Sequence, residues 1–368
     1  MIERAARGYV LVVSLVPLDA STVLFFTNLA DRVPLRVVGY PGRIASALSG
    51  ASAVIFIRGL FEFREAIWCA RALGIPSYYF LDDNFMLIRL EPELYGRFYD
   101  RYTDERVREK LRGFTGVLLA TEALMQYFRD ARLHERLVLY PPAAVAPMAP
   151  PNTAPRTLTV AFFGGVHRRE AFVRHVFPAV CRVAEDMTVR LLAAGFDEGQ
   201  LPPAPQMEIV YPPYQQSYVL GLQRMAEYGV DILVHPSART ENNAYKNPHV
   251  LINARALGAA AIFSNAPPYD AIATAGIALI SDNTEDAWHA ALTRLALDAQ
   301  LRCDLKTRLA DYCARHFSGD SNVGIVDDML RAHAPPGALT RIGRSIVAAP
   351  LLGFARVLRR IKNQFQLV

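Results

Sequence analysis

The chain reads as two runs of short, solidly apolar segments separated by helical ones. In the first run, strands fit 9–16, 35–38, 53–57, 77–81, 117–120 and 137–140. They are continuous rather than alternating in polarity, as strands covered on both faces are. Helical spacing fits 61–73, which runs out at Gly74 and Pro76, and 122–130; a charged helical stretch over 92–112 interrupts the rhythm. The second run repeats it. Strands fit 158–163, 188–193, 208–211, 231–234, 260–264 and 277–280, and helices fit 169–184, 217–228, 248–257, 284–297 and 299–316. Asn283-Thr284-Glu285-Asp286 offers a helix start with carboxylates in its first turn. Alternation of this kind implies parallel, doubly wound sheets, so the predicted fold class is α/β with two Rossmann-like domains.

Between the two runs, 141–156 holds six prolines in 16 residues. Proline fixes φ and has no backbone donor, so the segment cannot be a helix or an inner strand and reads as a semi-rigid linker. The expected organisation is an N-terminal domain over 1–145, a linker over 146–156, a C-terminal domain over 157–335 and a basic tail over 338–368. A length of 368 residues suits two cores better than one. Ligands of such sheets sit at the carboxyl ends of the strands, and two halves would place a site in a central cleft.

Composition narrows the function classes. With 52% hydrophobic and 20% charged residues, the chain is not of the disordered type. The net charge of +5 suggests a polyanion partner until it is located. Seven basic residues and no acidic ones lie beyond 328, which leaves 33 basic against 35 acidic residues in the rest. The body is near neutral and shows no basic stripe with interleaved aromatics, so nucleic acid is not expected. Within the tail, Leu351, Phe354, Leu358, Ile361 and Phe365 are spaced three and four apart, with Arg356, Arg359 and Arg360 on the other side. That is a basic amphipathic helix over 350–365, suited either to an anionic membrane surface or to packing on the body. No stretch reaches the roughly 18 uncharged apolar residues that span a bilayer. The apolar run near the start contains Pro17 and follows Glu3, so it reads as a core strand rather than a signal peptide. Cys69, Cys181, Cys303 and Cys313 show no metal or redox spacing and are expected as free thiols in a reducing, cytoplasmic compartment.

Three segments could carry chemistry. Phe162-Phe163-Gly164-Gly165-Val166-His167-Arg168-Arg169 takes a strand into two glycines and a basic helix start. Glycine lets backbone N–H groups approach a phosphate, and Arg168 could pair with its oxygens; the bland reading is a turn that needs glycine for space. Glu241 to Gly258 leaves the strand ending at His235 through a polar loop with Tyr245, Lys246 and Asn247, then enters a helix containing Asn253. Lys246 and Asn247 would lie near a helix N-terminus, where an anion is favoured, although a capping loop with a solvated Asn fits as well. Asp82-Asp83, at a strand's carboxyl end, could hold an acceptor hydroxyl, act as general base or bind a divalent cation; the alternative is a helix-capping turn. His167, His235 and His249 fit structural hydrogen bonding as readily as catalysis. There is no nucleophile elbow and no H-E-x-x-H.

The second segment resembles the donor half of bacterial GT-B glycosyltransferases of the group 1 type. Lys246-Asn247-Pro248 stands where those enzymes show a K-S-P-like loop. Ile252-Asn253-Ala254-Arg255-Ala256-Leu257-Gly258 aligns with their L-E-A-x-A-L-G helix, with Asn253 at the usual Glu. Tyr79-Phe80-Leu81-Asp82-Asp83-Asn84, Thr121-Glu122-Ala123-Leu124 and the helices from Thr284 to Phe317 resemble further parts of that family. The resemblance implies two Rossmann-like domains facing a cleft. It implies sugar transfer from a nucleotide diphosphate-sugar to a glycan or lipid-linked acceptor, with retention and without an essential metal or other cofactor. Gly164, Gly165, Arg168, His235, Tyr245, Lys246, Asn247 and Asn253 would then serve the donor, and Asp82 and Asp83 the acceptor. Asp83, Arg168 and Lys246 would be the catalytic set. A nucleotide-sugar epimerase and a non-catalytic binding module of the same fold remain alternatives, the latter motivated by Asn253.

Overall fold

The computed structural model describes residues 8–148, 157–237, 240–333 and 335–365, with side chains left undescribed at Val166 and 356–365. The first sheet is built from β1 (Tyr9–Ser14), β2 (Leu35–Gly39), β3 (Ala51–Ile57), β4 (Ser77–Leu81), β5 (Gly116–Leu119) and β6 (Leu137–Leu139), in the spatial order β2-β1-β3-β4-β5-β6. The second holds β7 (Leu158–Phe163), β8 (Val189–Ala194), β9 (Glu208–Val210), β10 (Ile232–His235), β11 (Ala260–Ser264) and β12 (Leu279–Ser281), in the order β12-β11-β10-β7-β8-β9. Every pairing is parallel. Each expected strand forms, with ends shifted by two residues or fewer.

The apolar runs explain the sheets. All of β3 and all of β4 are buried, and helices cover the faces. In the first unit Phe25, Phe26, Phe80 and Tyr140 pack ring on ring. In the second, Phe162, Phe172 and Phe196 do the same beside the buried Trp288. Burying each such ring stabilises by about 1.5–3 kcal/mol.

Strand order dictates where ligands bind. In the first sheet the winding reverses between β1 and β3, and in the second between β7 and β10. A crevice opens at the carboxyl ends of the strands at such a reversal. Ser14 and Arg58 leave the first reversal; Gly164 and His235 mark the second.

The contact-based division differs from the expected domain boundaries. Among the described residues, the first unit takes in the chain through Leu90, Arg97–Ala143 and the chain from Gly319 on; the second takes Glu91–Gly96 and Ala144–Ser318. The expected 157–335 domain therefore loses the helix Asp320–Ala332, which covers β1 and β3 of the first sheet with Val326 and Met329 buried. The physical reason is that an amphipathic helix satisfies any apolar sheet face, whichever half of the chain supplied it. Of the expected linker, 146–148 carries no helix or strand, and 149–156 lies outside the described residues.

The tail helix is longer than the expected 350–365. It is Ala338–Phe365 and runs through Pro350. It packs on the helices Ile44–Ser49 and Arg64–Ala72, burying Ala348 and Leu352, and Arg344 donates to the carbonyl of Ala51 at 2.9 Å. Leu339, Ile342 and Ile346 stay exposed, as does Phe354 of the expected apolar face; the side chains from 356 on lie outside the described residues. By length and composition Ala338–Ala355 is apolar enough to cross a membrane, even with Arg341 and Arg344 inside it.

Candidate active site

In the second unit, the loop after β7 and the loop after β10 bring cationic groups together. Arg168 lies in a 3₁₀ turn, Val166–Arg168, and is 9% exposed. Its Nη1 meets His167 Nε2 at 2.5 Å, while its Nε has no hydrogen-bond partner among the described residues. His235 ends β10, is 1% exposed, and neither ring nitrogen has a partner among the described residues. Its ring lies against Tyr269 at 5.2 Å between centroids. Burial holds His235 well below the ordinary histidine range, and Arg168, His249, His167 and Lys246 push it the same way. Four further groups able to carry positive charge thus converge on a buried neutral imidazole.

Around them, Ser237 Oγ and Asn247 Oδ1 are buried without a partner among the described residues. The Ser237 backbone is fixed. Its N–H donates to Ser264 Oγ at 2.8 Å, and its carbonyl accepts from Asn283 Nδ2 at 2.7 Å. Buried polar atoms are almost always satisfied, so a cluster that is not marks a place for a polar ligand. A rigid loop whose Ser237 hydroxyl is an orphaned donor beside cations fits an anion, while the Asn247 oxygen would accept from a ligand hydroxyl.

The predicted donor residues are placed as follows. Gly164 has a packing role, since a Cβ there would stand 2.8 Å from the Phe162 ring, and its carbonyl faces Gly195, whose φ is +106°. Gly165 meets only the His167 ring. Lys246 follows the 3₁₀ turn Glu241–Tyr245 in extended conformation, ahead of the helix Val250–Leu257. Asn253 sits inside that helix, 3% exposed, and accepts from the buried Tyr218 hydroxyl at 2.5 Å. Its carbonyl oxygen thus has a protein partner, unlike that of Asn247.

One contributor escaped the sequence reading. The short turn Glu91–Gly96 belongs to this unit, and its Tyr95 ring lies 5.6 Å from the His167 ring and 5.7 Å from Lys246 Nζ. The crevice bounded by Tyr95, His167, Arg168, Ser237, Thr240 and Asn243 is about 10 Å³, room for one water. The expected helix over 92–112 is broken here because Gly96, at φ +69°, ends the first turn.

In the first unit, Asp82 and Asp83 follow β4. The capping alternative falls to their neighbour: Asn84 caps the helix Phe85–Ile88 by accepting from the Leu87 N–H. Both aspartates instead face Arg58, which the sequence reading did not single out. Arg58 Nη1 donates to Ser21 Oγ at 2.7 Å, and Ser21 Oγ donates to Asp82 Oδ2 at 2.5 Å. Arg58 Nη2 donates to Asp83 Oδ2 at 3.2 Å, and Nε stands 3.5 Å from Asp82 Oδ1. Burial pushes the Asp82 carboxyl up to about 6, against the pull of Arg58 and with a further push from Asp83. Beside them lies a pocket of about 230 Å³ walled by Phe85, Phe98, Tyr99 and Tyr102. Among the described residues, no group of three or more His, Cys, Asp or Glu is arranged to hold a metal ion.

No family model matches the chain, and no curated protein sequence matches it. Solved structures do. Sucrose-phosphate synthase from Thermosynechococcus elongatus superposes with a TM-score of 0.59 at 11% identity, over 88% of this chain and 98% of that one. The fold is that of the GT-B glycosyltransferases. Anabaena HepE, solved with UDP, gives a TM-score of 0.57 at 12% identity over 88% of this chain and 100% of the other. WaaG, a glycosyltransferase of lipopolysaccharide biosynthesis, gives 0.52 at 13% over 86% and 99%. The GT-B architecture expected from the sequence is therefore present, and both clusters sit at the strand ends where this fold binds ligands.

Proposed function

We propose that this chain is a glycosyltransferase that moves a sugar from a nucleotide diphosphate-sugar to a hydroxyl of a glycan or lipid-linked acceptor. The observation that carries the proposal is the set of buried, partly unpartnered polar groups at the β7/β10 reversal, surrounded by Arg168, Lys246 and three histidines. Sugar transfer from such a donor expels a diphosphate, whose growing negative charge must be met by fixed donors and cations. Arg168 and Lys246 would supply charge, and the Gly164–Gly165 backbone and the Asn247 side chain hydrogen bonds. His235 would meet the phosphate oxygens, its ring nitrogens being open. Because these groups provide positive charge themselves, the reading includes a leaving-group step that needs no metal. It also includes retention of configuration, on the sequence resemblance alone. Asp83, held by Arg58, which lines the pocket in the first unit, would receive the acceptor hydroxyl, with Asp82 beside it. That Asn253 is bonded to Tyr218 supports giving it a structural part at the edge of the donor site. The neighbours include enzymes described as acting in lipopolysaccharide synthesis or solved with UDP, which supports a surface-glycan role and a uridine donor. The exposed Leu339, Ile342 and Ile346 beside Arg341 and Arg344 support a peripheral seat on the cytoplasmic face of an anionic membrane.

A thermal-shift screen with nucleoside diphosphates and nucleotide-sugars tests the proposal. A true donor at 100 times its Kd should stabilise the protein by about 2.7 kcal/mol. Absence of any shift across the uridine, guanosine, adenosine and thymidine diphosphates at millimolar concentration would reject it.

A further inference from the structure

Arg58 is held in an unusual way. It follows β3 directly at φ +64°, a backbone conformation that side chains other than glycine rarely adopt. Such strain persists only where the surroundings over-determine it. Here they do: the Arg58 carbonyl accepts from the hydroxyls of Tyr79 at 2.8 Å and Tyr102 at 3.1 Å, and its N–H donates to the Phe80 carbonyl at 2.9 Å. The guanidinium lies over the Phe85 ring at 5.1 Å. All of this aims one fork at three acceptors, Ser21, Asp82 and Asp83.

Charge then restricts what the neighbouring pocket can take. One guanidinium faces Asp82, Asp83 and, from the start of the helix Ala20–Phe25, Asp19. Burial alone would make Arg58 a weaker base, but these carboxylates and Tyr99 more than offset it. The surplus is negative, and each nitrogen of the Arg58 fork already faces an acceptor among these groups. Arg58 and Asp19 line the pocket itself, while Asp82 and Asp83 stand behind Arg58 rather than in its wall. An anionic ligand would therefore meet the negative surplus, while a hydroxyl would find the Asp19 carboxylate. The walls are aromatic faces, and about 230 Å³ is below the range of roughly 300–1,000 Å³ for larger ligands, so one ring fits.

We propose that Arg58 is a positioning residue: its fork fixes the Asp82–Asp83 pair behind it, and the negative surplus around Arg58, with Asp19 in the wall, makes the pocket take an uncharged, hydroxyl-bearing sugar ring as acceptor. The acceptor's role in transfer rests on the function proposed above; the electrostatic part does not. The charged and titratable groups facing Asp82 are Arg58 just after β3, Asp19 at the cap of the first helix, Asp83 beside it, Tyr79 from β4 and Tyr99, with the Ser21 hydroxyl bonded to it.

The test is carboxyl NMR titration of the full chain labelled with 13C at aspartate side chains, with Asp82→Asn to assign the signal. Asp82 is expected to titrate near 6. In Arg58→Gln the midpoint should rise by about one pH unit or more, and Arg58→Lys should restore part of it. Tyr102→Phe, which removes one donor to the Arg58 carbonyl, should shift the midpoint in the same direction by less. An unchanged midpoint in a folded Arg58→Gln protein overturns the proposal. If that variant does not fold, unchanged midpoints in both Arg58→Lys and Tyr102→Phe overturn it. Saturation-transfer NMR with methyl glycopyranosides and the corresponding uronates tests the acceptor class. Preference for the uncharged rings supports it; equal or tighter binding of a uronate, or no binding of any ring, rejects it. Failure of nucleotide diphosphates to stabilise the protein would reject the transferase function while leaving the titration result standing.

Discussion

At the residue scale, the two clusters make opposite demands on charge. Lys246→Ala would remove a charge-assisted contact to the leaving diphosphate worth about 1.5–3 kcal/mol. Steady-state kinetics should then show kcat/KM falling roughly 10- to 150-fold. Asp82 behaves differently. Its folded-state value near 6 lies above its ordinary 3.8, so its stabilising share is present below 3.8 and lost as pH rises through about 6. Asp82→Asn should therefore raise Tm by a few degrees at pH 8 and by less at pH 5, while lowering transfer activity. A stability profile of the variant parallel to that of the native chain would show that ionised Asp82 carries no strain. Neither residue needed the structure to be noticed. Arg58 did, because a single arginine after an apolar strand looks like any solvated strand end until Ser21, Asp82 and Asp83 are seen around it. The remaining signal was its place: the first residue after β3, at the reversal of strand order.

At the element scale, the helices Tyr218–Glu227 and Val250–Leu257 are tied by the Tyr218–Asn253 bond. Tyr218→Phe would leave a buried amide oxygen without its donor, at about 1–3 kcal/mol, or about 2–4 °C in Tm per kcal/mol for a unit of this size. Adding Asn253→Leu should recover most of the loss, because removing both partners removes the penalty. If Asn253 instead serves the donor, calorimetry of the double variant will show stability restored and nucleotide affinity lost. The strands were legible almost to the residue, since solid apolar runs between turn residues have few other solutions in a parallel sheet. The charged stretch 92–112 was not. Its composition suits a helix, but the Gly96 backbone breaks the first turn and leaves Tyr95 against His167 and Lys246.

For the whole molecule, the fold class and the duplication were readable because each half repeats the βα rhythm. Which sheet the final helices cover was not, since amphipathicity names a face and never a partner. The long terminal helix shows the ambiguity directly: it buries Ala348 and Leu352 on the first unit and leaves Leu339, Ile342 and Ile346 outside. Changing those three to Gln should abolish co-sedimentation with anionic vesicles without lowering Tm. Native binding should weaken with added salt, because basic residues contribute about 1 kcal/mol each near such a surface. Vesicle binding unaffected by the triple change would assign the membrane seat elsewhere.

The return of the chain to the first unit after Ser318 has a consequence for biosynthesis. The first sheet leaves the ribosome early, but the helix Asp320–Ala332 that covers β1 and β3 is made only after Ala144–Ser318. Ala144–Ser318 is complete in sequence before that helix exists, so the second unit can close while the first still waits for its cover. At ordinary translation rates that wait is on the order of ten seconds or more. A nascent chain stalled just past Ser318 would present one protease-resistant unit and one exposed apolar sheet face, the face most open to a chaperone.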